Sequence, residues 1–311
     1  MYNGMINVYK EAGYTSHDVV ARLRGICKQK KIGHTGTLDP DAVGVLPVCL
    51  GSGTKLCDML TDWDKEYIAC LQLGVATDTQ DMSGRVVYEA APERLAVLSG
   101  EQVCGCIRSF VGSYDQIPPM YSALKVNGKK LYELAREGKE IERKPRTVRI
   151  EEIEILKLEL PLVEFRVVCS KGTYIRTLCH DIGEKLGCGG AMRSLIRSRV
   201  GIFRQEDALT LGQIEQLEKN NGITDVIIPP DAIFCDLRAV MVTEAGVKPV
   251  QNGNSLRSTL LTAESGERKA AARAESSDGE QVRVYDLSGR FYGIYGYHAA
   301  ERLYKPVRMF L

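Results

Sequence analysis

The residue best placed to do chemistry in this chain is Asp39, a carboxylate in the stretch 33–41, which reads GHTGTLDPD. Pro40, directly behind it, fixes its own φ and disfavours the α conformation at Asp39. Gly33 and Gly36 allow backbone to approach a ligand closely. An acidic side chain held stiffly on such a loop is a candidate catalyst. Asp-Pro and Gly-rich clusters also mark ordinary turns, so local chemistry alone leaves both interpretations open.

Several further motifs accompany this loop in a fixed order. They are AVGVLPV at 42–48, KEY at 65–67, TDTQD at 77–81, QIPPMYSALK at 116–125, KGTYIR at 171–176 and LIR at 195–197. Together they resemble the signature of the TruB family of pseudouridine synthases. The resemblance runs from about residue 4 to the C-terminus and is weakest past residue 255. It implies isomerisation of uridine 55 to pseudouridine in the T-arm stem-loop of tRNA, without a cofactor or a metal.

The resemblance also implies roles for individual residues. Asp39 would be the catalytic carboxylate, and Arg176 the cation that keeps it ionised, because burial alone would raise the pKa of Asp39. Tyr67 would give an aromatic face to a uridine flipped out of its stack, and its hydroxyl could help to move the C5 proton. Without the match, Arg176 reads as a surface arginine and Tyr67 as a half-buried strand tyrosine. Four further positions match residues that contact or surround the substrate: His34, Asp81, Tyr174 and Leu195.

The charge pattern gives weaker support for RNA binding. The net charge is only +1, but residues 120–149 hold nine basic and four acidic side chains. Most charge runs are solvated surface, yet this one borders the motif at 116–125, and RNA binding needs local rather than global positive potential. We expect a basic insertion at about 118–148 that closes over the RNA. Its candidate phosphate contacts are Lys125, Lys130, Arg143 and Arg146.

The remaining composition is that of a globular protein, with 44% hydrophobic and 26% charged residues. Lys10 and Asp18 interrupt any apolar N-terminal run, and the apolar stretch 43–50 is far short of the ~20 residues of a membrane-spanning helix. We therefore expect a cytoplasmic monomer with no membrane contact and no obligate protein partner. The ten cysteines include no C-x-x-C pair, so we expect free thiols rather than a zinc site.

Hairpins and single helices, without regular β-α-β alternation, predict an α+β fold. The resemblance implies the pseudouridine synthase fold, a mixed and mainly antiparallel sheet with flanking helices, over residues 1–235. A small β-rich PUA-like domain would follow over 236–311. The polar segment 263–281 reads as an exposed helix or a disordered loop. We expect a helix capped by Ser16, a helix start capped by Thr54, one helix over 92–110 and a helix over 173–186 closed by Gly187. We expect strands at 67–74 and 84–89 joined by a turn, and antiparallel strands at 147–158 and 162–170. One further strand is expected over 194–203.

Two other functions compete with the first. The catalytic subunit of a guide-RNA-dependent synthase would share the chemistry, but such subunits usually carry lysine-rich terminal extensions, which this chain lacks. A non-catalytic RNA-binding or chaperone protein would use the insertion and the C-terminal domain alone. The presence of both Asp39 and Arg176 argues against that alternative.

Overall fold

The computed structural model describes residues 1–126, 128–263 and 277–311. Its strands are β1 (Gly4–Lys10), β2 (Ile32–His34), β3 (Val43–Leu50), β4 (Lys65–Leu73), β5 (Val75–Thr77), β6 (Val86–Glu89), β7 (Gly112–Gln116), β8 (Lys125–Val126), β9 (Lys129–Lys130), β10 (Arg146–Glu159), β11 (Leu162–Cys169), β12 (Gly190–Val200), β13 (Phe203–Arg204), β14 (Arg238–Val242), β15 (Leu256–Arg257), β16 (Leu261–Ala263), β17 (Gln281–Tyr285), β18 (Phe291–His298) and β19 (Leu303–Met309). Its α-helices are α1 (Ser16–Ile26), α2 (Cys57–Thr61), α3 (Pro92–Ala96), α4 (Gly100–Arg108), α5 (Leu131–Arg136), α6 (Ile175–Leu186), α7 (Leu211–Lys219) and α8 (Glu244–Gln251).

Within the described residues, nine strands form the larger sheet. Seven follow the order β1-β3-β12-β4-β11-β10-β7, and β2 pairs with β3 while β13 pairs with β12. The contact between β12 and β3 is parallel, and the other pairings of this sheet are antiparallel. The expected mixed, mainly antiparallel sheet is therefore confirmed, including the predicted pairing of β10 with β11.

Strand β4 shows why this sheet forms and where its core lies. Its side chains alternate between buried and partly exposed along its whole length, which is the period of a strand with one well-covered face. Tyr67, Ala69 and Leu71 occupy that face. They share one hydrophobic cluster with Leu178 and Ile182 of α6. The helix therefore covers the centre of the sheet and fixes the position of its own first turn.

Helix α6 ends as the sequence predicts. Gly187 caps it in the left-handed conformation at φ 68°, which glycine adopts without the steric cost that a Cβ imposes. The helix begins at Ile175, two residues later than expected, so that Arg176 lies in its first turn. The fixed end and the packed face together set the position of Arg176 in the first turn of the helix.

The C-terminal part forms a second sheet, which confirms the expected β-rich unit. Its strands follow the order β15-β19-β18-β17-β14-β16, and α8 lies beside it. Val240, Val284 and Tyr295 are among its buried residues. Phe310 packs with Met5 in another cluster, so the two sheets share buried surface. The division between residues 235 and 236 stays a prediction.

Two predicted caps were wrong. Thr15, not Ser16, caps α1, through a reciprocal pair of hydrogen bonds with Asp18. Ser16 is fully buried, and its hydroxyl accepts a hydrogen bond from the backbone N–H of Leu38 at 2.9 Å. The Thr54 hydroxyl caps nothing and donates to the carbonyl of Gly51 within a 3₁₀ turn. The same small hydroxyl residues serve caps and tertiary contacts, and local sequence does not separate these uses.

Three predicted segments divide differently. The single helix expected over 92–110 is two helices, because Ser99 caps α4 through a capping box with Gln102. The strand expected at 84–89 is β6, which pairs with β5 in a small separate sheet rather than with β4. The strand expected over 194–203 begins earlier, and it turns back after Val200 into the short strand β13.

Two further observations concern the C-terminal half and the membrane expectation. Helix α8 was not predicted, because it contains Pro249 near its end. Most of the polar segment 263–281 lies outside the described residues, which resume at 277. Among the helices of the described ranges, none is both long and apolar enough to cross a bilayer.

Candidate active site

The Asp39 loop connects β2 to β3 and is anchored beside the catalytic candidate. Leu38 is buried, and its backbone N–H donates to the Ser16 hydroxyl of α1. Asp39 itself keeps 39% of its side chain exposed. The loop therefore presents one carboxylate to solvent while the preceding residue is fixed in the core.

Arg176 binds this carboxylate through two nitrogen atoms. Its Nε lies 3.0 Å from Oδ2 of Asp39, and its Nη2 donates to Oδ1 at 3.2 Å. Only 6% of the Arg176 side chain is exposed. A bidentate pair of this kind fixes the plane of the carboxylate as well as its position, which a lysine could not do.

The other contacts of Arg176 hold the guanidinium itself. Nη1 donates to the carbonyl of Thr79 at 3.1 Å and lies 3.4 Å from Oδ2 of Asp81. Nη2 also donates to the carbonyl of Tyr121, at 2.8 Å. Arg176 thus joins the Asp39 loop, the turn at 77–81 and the start of the basic insertion. Sequence reasoning paired Arg176 with Asp39 and placed Asp81 only near the site, and it missed both carbonyls, because any residue type supplies a carbonyl.

The pKa of Asp39 is raised above its usual value of 3.8. Burial is the main cause, Arg176 opposes it, and the nearby Asp81 carboxylate adds to the rise. Asp39 and Asp81 share the Arg176 guanidinium, so the negative charge of each offsets part of the stabilisation that the guanidinium gives to the other carboxylate. Asp39 is therefore a carboxylate whose ionisation depends on its neighbours.

Lys10, a residue that sequence reasoning did not single out for the site, supports the downstream part of the loop. Its side chain is fully buried, and Nζ donates to the carbonyls of Pro40 at 2.8 Å and Ala42 at 2.6 Å. Burial lowers the pKa of Lys10 to about 8, while the charge of Asp39 opposes that shift. The sequence offered one signal for this role, a lysine at the end of strand β1. That the strand is buried is evident only from the folded structure.

Tyr67 and Leu195 lie beside each other at the centre of the sheet. Tyr67 is 8% exposed and Leu195 7% exposed, and both belong to the cluster that contains Leu38. Burial raises the pKa of the Tyr67 phenol. The structure therefore brings both predicted pocket residues to the side of the sheet that carries the Asp39 loop.

His34 and Tyr174 are each fixed by hydrogen bonds of their own. His34 accepts a hydrogen bond from the Gly36 N–H at Nδ1 (3.3 Å), and its ring meets that of His17 edge to face. Burial lowers the pKa of His34 to about 4, so the imidazole is neutral near pH 7. Tyr174 precedes α6, and its backbone N–H and C=O both bind the side-chain amide of Gln116.

The four basic candidates are not equivalent. Lys125 and Arg146 are exposed, whereas Lys130 donates to the Tyr132 hydroxyl at 3.0 Å. Arg143 keeps only 19% of its side chain exposed, donates to the carbonyl of Pro118 and pairs with Glu140. Arg143 therefore holds the insertion together, and its role as a phosphate contact stays a prediction.

All ten cysteines are free thiols. Among the residues that the structure describes, no group of three or more His, Cys, Asp and Glu side chains is arranged to hold a metal ion. The polar chemistry around Asp39 is thus supplied by an ion pair, buried cations and backbone carbonyls.

Comparison with known proteins places this geometry in a family. Residues 24–175 match the N-terminal domain model of TruB family pseudouridylate synthases, and residues 176–235 match the tRNA pseudouridylate synthase B C-terminal domain. A curated relative from Lachnoclostridium phytofermentans, called tRNA pseudouridine synthase B, is 52% identical over 99% of this chain and 100% of its own. A protein of the same name from Alkaliphilus oremlandii is 47% identical over 83% of this chain and 84% of its own.

A solved structure agrees at the level of the fold. A chain in the crystal structure of a Cbf5–Nop10–Gar1 complex superposes with a TM-score of 0.69 at 28% identity, covering 99% of this chain and 85% of that one. Family models, relatives and fold all lead to the same assignment. The chain therefore belongs to the TruB family of pseudouridine synthases.

Proposed function

We propose that this protein isomerises uridine 55 in the T-arm of tRNA to pseudouridine, with Asp39 as the catalytic carboxylate. Pseudouridine formation in tRNA follows from the family and from relatives that carry this activity in their name over nearly the whole chain. The choice of Asp39 rests on one observation above all. It is a partly exposed carboxylate held in a bidentate pair by a buried arginine.

The reaction explains why such a pair is useful. The N1–C1′ bond of the nucleoside breaks, a C5–C1′ bond forms, N1 gains a proton and C5 loses one. No electrons or groups enter or leave overall. The enzyme needs an ionised carboxylate at the sugar and base, and the Arg176 guanidinium favours that charged form against the effect of burial.

The target uridine must leave its stack before either atom is accessible. The Tyr67 ring and the Leu195 side chain then line the pocket that receives it, and the Tyr67 hydroxyl is the nearest candidate for handling the C5 proton. His34 is neutral and edge-packed on His17, so it contacts displaced nucleotides through its ring rather than through charge. Tyr174, fixed at both backbone groups by Gln116, completes the far wall.

The basic insertion supplies the contacts to the RNA backbone. Lys125 and Arg146 are exposed and free to meet phosphates, and Lys130 lies opposite Lys125 on the hairpin of β8 and β9. The insertion reaches the catalytic pair through the Tyr121 carbonyl on Arg176. RNA bound by the insertion is therefore positioned directly over Asp39.

We further propose that the protein acts in the cytoplasm as a monomer. The solved neighbour comes from a complex with Nop10 and Gar1. In contrast, the Lachnoclostridium relative, a tRNA pseudouridine synthase B, matches this chain over its entire length. The tRNA itself then supplies recognition, without a guide RNA.

Mapping of pseudouridine by reverse transcription in tRNA treated with the purified protein tests this function. We expect one new stop, at position 55, and the same product from an isolated T-arm stem-loop. A T-arm with cytidine at position 55 serves as the control and stays unmodified. Modification at other sites only, or a requirement for an added guide RNA, would contradict the proposal.

A further inference from the structure

Arg197, which lies on β12 outside the predicted site, is an unusual buried cation. It is 1% exposed and is the first of the largest fully buried side chains among the residues that the structure describes. No ion pair joins it to a carboxylate in the part of the chain that the structure describes. Burial of a charge is costly unless specific hydrogen bonds compensate it. The partners that Arg197 does have therefore indicate its purpose.

Those partners are carbonyls on both sides of the Asp39 loop. Nε donates to the carbonyl of Val45 at 2.7 Å, and Nη2 donates to that of Gly36 at 3.2 Å. A longer contact of 3.5 Å joins Nη1 to the carbonyl of Thr37. Lys10 binds the carbonyls of Pro40 and Ala42, which follow Asp39. Arg197 binds the carbonyl of Gly36, in the part of the loop that precedes Asp39 and that Lys10 does not contact.

Arg197 also touches the other half of the proposed site. It is the direct register partner of Tyr67 across the antiparallel pair of β12 and β4. Burial raises the pKa of the Tyr67 phenol, and the positive charge of Arg197 partly opposes that rise. One residue thus binds the Asp39 loop through its guanidinium and lies directly opposite Tyr67 in the strand pair.

The surrounding backbone is built for this close approach. Gly44 pairs with Arg197 between β3 and β12, at φ 106°. A Cβ on Gly44 would lie 2.3 Å from the Arg197 carbonyl oxygen, so only glycine lets the two strands approach this closely. Arg197 is therefore held at its backbone as well as at its guanidinium.

We propose that Arg197 is a positioning residue that sets the distance between Asp39 and Tyr67, because it hydrogen-bonds the carbonyls beside Asp39 from a strand position directly opposite Tyr67. The inference rests on the proposed role of Asp39 as the catalytic carboxylate. It explains why a cation persists here although its charge lowers the pKa of both Lys10 and Lys65. An apolar side chain would fill the space without that repulsion but would leave the carbonyls unpaired.

Turnover of a T-arm RNA by Arg197→Lys and Arg197→Ala tests the proposal. A misplacement of reacting groups by about 1 Å can cost about 100-fold in rate, so we expect kcat to fall about 100-fold in Arg197→Lys. KM should change little, since no RNA contact is lost. Guanidinium ion at low concentration should restore part of the kcat of Arg197→Ala by occupying the vacated space. A variant with full kcat, or one that raises KM alone, would overturn the proposal.

A double-mutant cycle separates positioning from general stability. If Arg197 acts through Tyr67, the loss caused by Arg197→Lys should be smaller in a Tyr67→Phe background than in the wild type. Additive losses would overturn the coupling. Arg199→Lys, two residues along the same strand and near Glu66, is the matched control and should keep wild-type kcat. Thermal unfolding of every variant shows which losses of kcat come from reduced stability of the fold. If Arg197→Ala does not fold, the kcat of Arg197→Lys alone tests the positioning role.

Asp39→Asn, measured beside these variants, distinguishes the two levels of the account. An inactive Asp39→Asn with a fully active Arg197→Lys would remove only this inference. An active Asp39→Asn would remove the proposed catalytic role of Asp39, on which this inference rests, whatever Arg197 does.

Discussion

The Asp39 loop and the basic insertion are built in opposite ways, although both contact Arg176. The loop is held by Lys10, Ser16 and Arg197, each at most 1% exposed. The insertion consists of two-residue strands, one short helix and ion pairs between largely exposed side chains, such as that of Lys139 with Glu137. Exposed ion pairs contribute little to stability. The comparison teaches that this chain fixes the groups proposed to react by buried contacts, whereas it presents the groups proposed to meet phosphates on a segment with few such contacts.

Among variants that keep Asp39, the largest effect should follow a change to the group that joins the two regions. Arg176→Lys keeps a positive charge but loses the planar fork on Asp39 and the bond to the Tyr121 carbonyl. We expect kcat to fall at least about 100-fold, in line with the loss of a preorganised donor. Steady-state kinetics on a T-arm RNA measure this.

The matched control is Arg193→Lys, on β12 and exposed, where the arginine bonds only Gln72 among the described contacts. It should retain wild-type rates. Near-normal turnover by Arg176→Lys would show that the bidentate pair has no catalytic importance, and the contrast between the two regions would lose its basis.

A smaller loss is expected from Tyr67→Leu, which removes the proposed stacking face from the rigid region. Stacking of a base on an aromatic side chain contributes about 1–3 kcal/mol, so kcat/KM should fall roughly 10- to 100-fold. Tyr67→Phe keeps the ring and separates stacking from the hydroxyl. Equal rates for Tyr67→Leu and the wild type, in variants shown to be folded, would place the flipped base elsewhere.

Charge reversal in the adaptable region should weaken binding rather than chemistry. Lys125→Glu and Arg146→Glu change exposed side chains, and we expect each to weaken RNA binding by about tenfold and to reduce the salt slope by about 1. Titrations of labelled T-arm RNA at several salt concentrations measure both quantities. Lys219→Glu on α7 reverses an exposed charge outside the insertion and should leave the slope unchanged. An unaltered slope for all three variants would move the insertion away from the RNA.

The smallest expected effect is a shift in pH dependence. Because burial raises the pKa of Asp39, the carboxylate is protonated, and activity is lost, at a higher pH than for an ordinary aspartate. Asp81 adds to that rise, so Asp81→Asn should lower the pKa of Asp39 and move the acid limb of the kcat profile to lower pH. A limb that stays in place or moves upward would show that the two acids do not share the guanidinium as described.

The features that the sequence predicted best are those that depend on neighbouring residues or that several motifs support together. The antiparallel pair β10 and β11, the Gly187 cap and the joining of Asp39 to Arg176 followed from such signals. The prediction of Ser16 as a helix cap was wrong, because its hydroxyl accepts a hydrogen bond from the backbone N–H of Leu38 and does not cap its own helix.

Lys10 and Arg197 escaped notice for a different reason. Their partners are backbone carbonyls far along the chain, and a carbonyl leaves no trace in residue type. Arg197 belongs to the recognised motif LIR at 195–197. Its residue type, however, does not distinguish a buried arginine that binds loop carbonyls from an ordinary strand arginine. The parallel contact of β12 with β3 creates that role, and it forms only in the folded sheet.

The most direct test of the account is single-turnover pseudouridine formation by Asp39→Asn at saturating T-arm RNA, with binding measured in parallel. The asparagine keeps the shape of the side chain and removes only its charge. We predict that product formation becomes undetectable while the affinity for RNA stays within about twofold of wild type, because the carboxylate acts on the nucleoside and not on the phosphates. Pseudouridine formed by Asp39→Asn at a rate near that of the wild type would contradict the central claim.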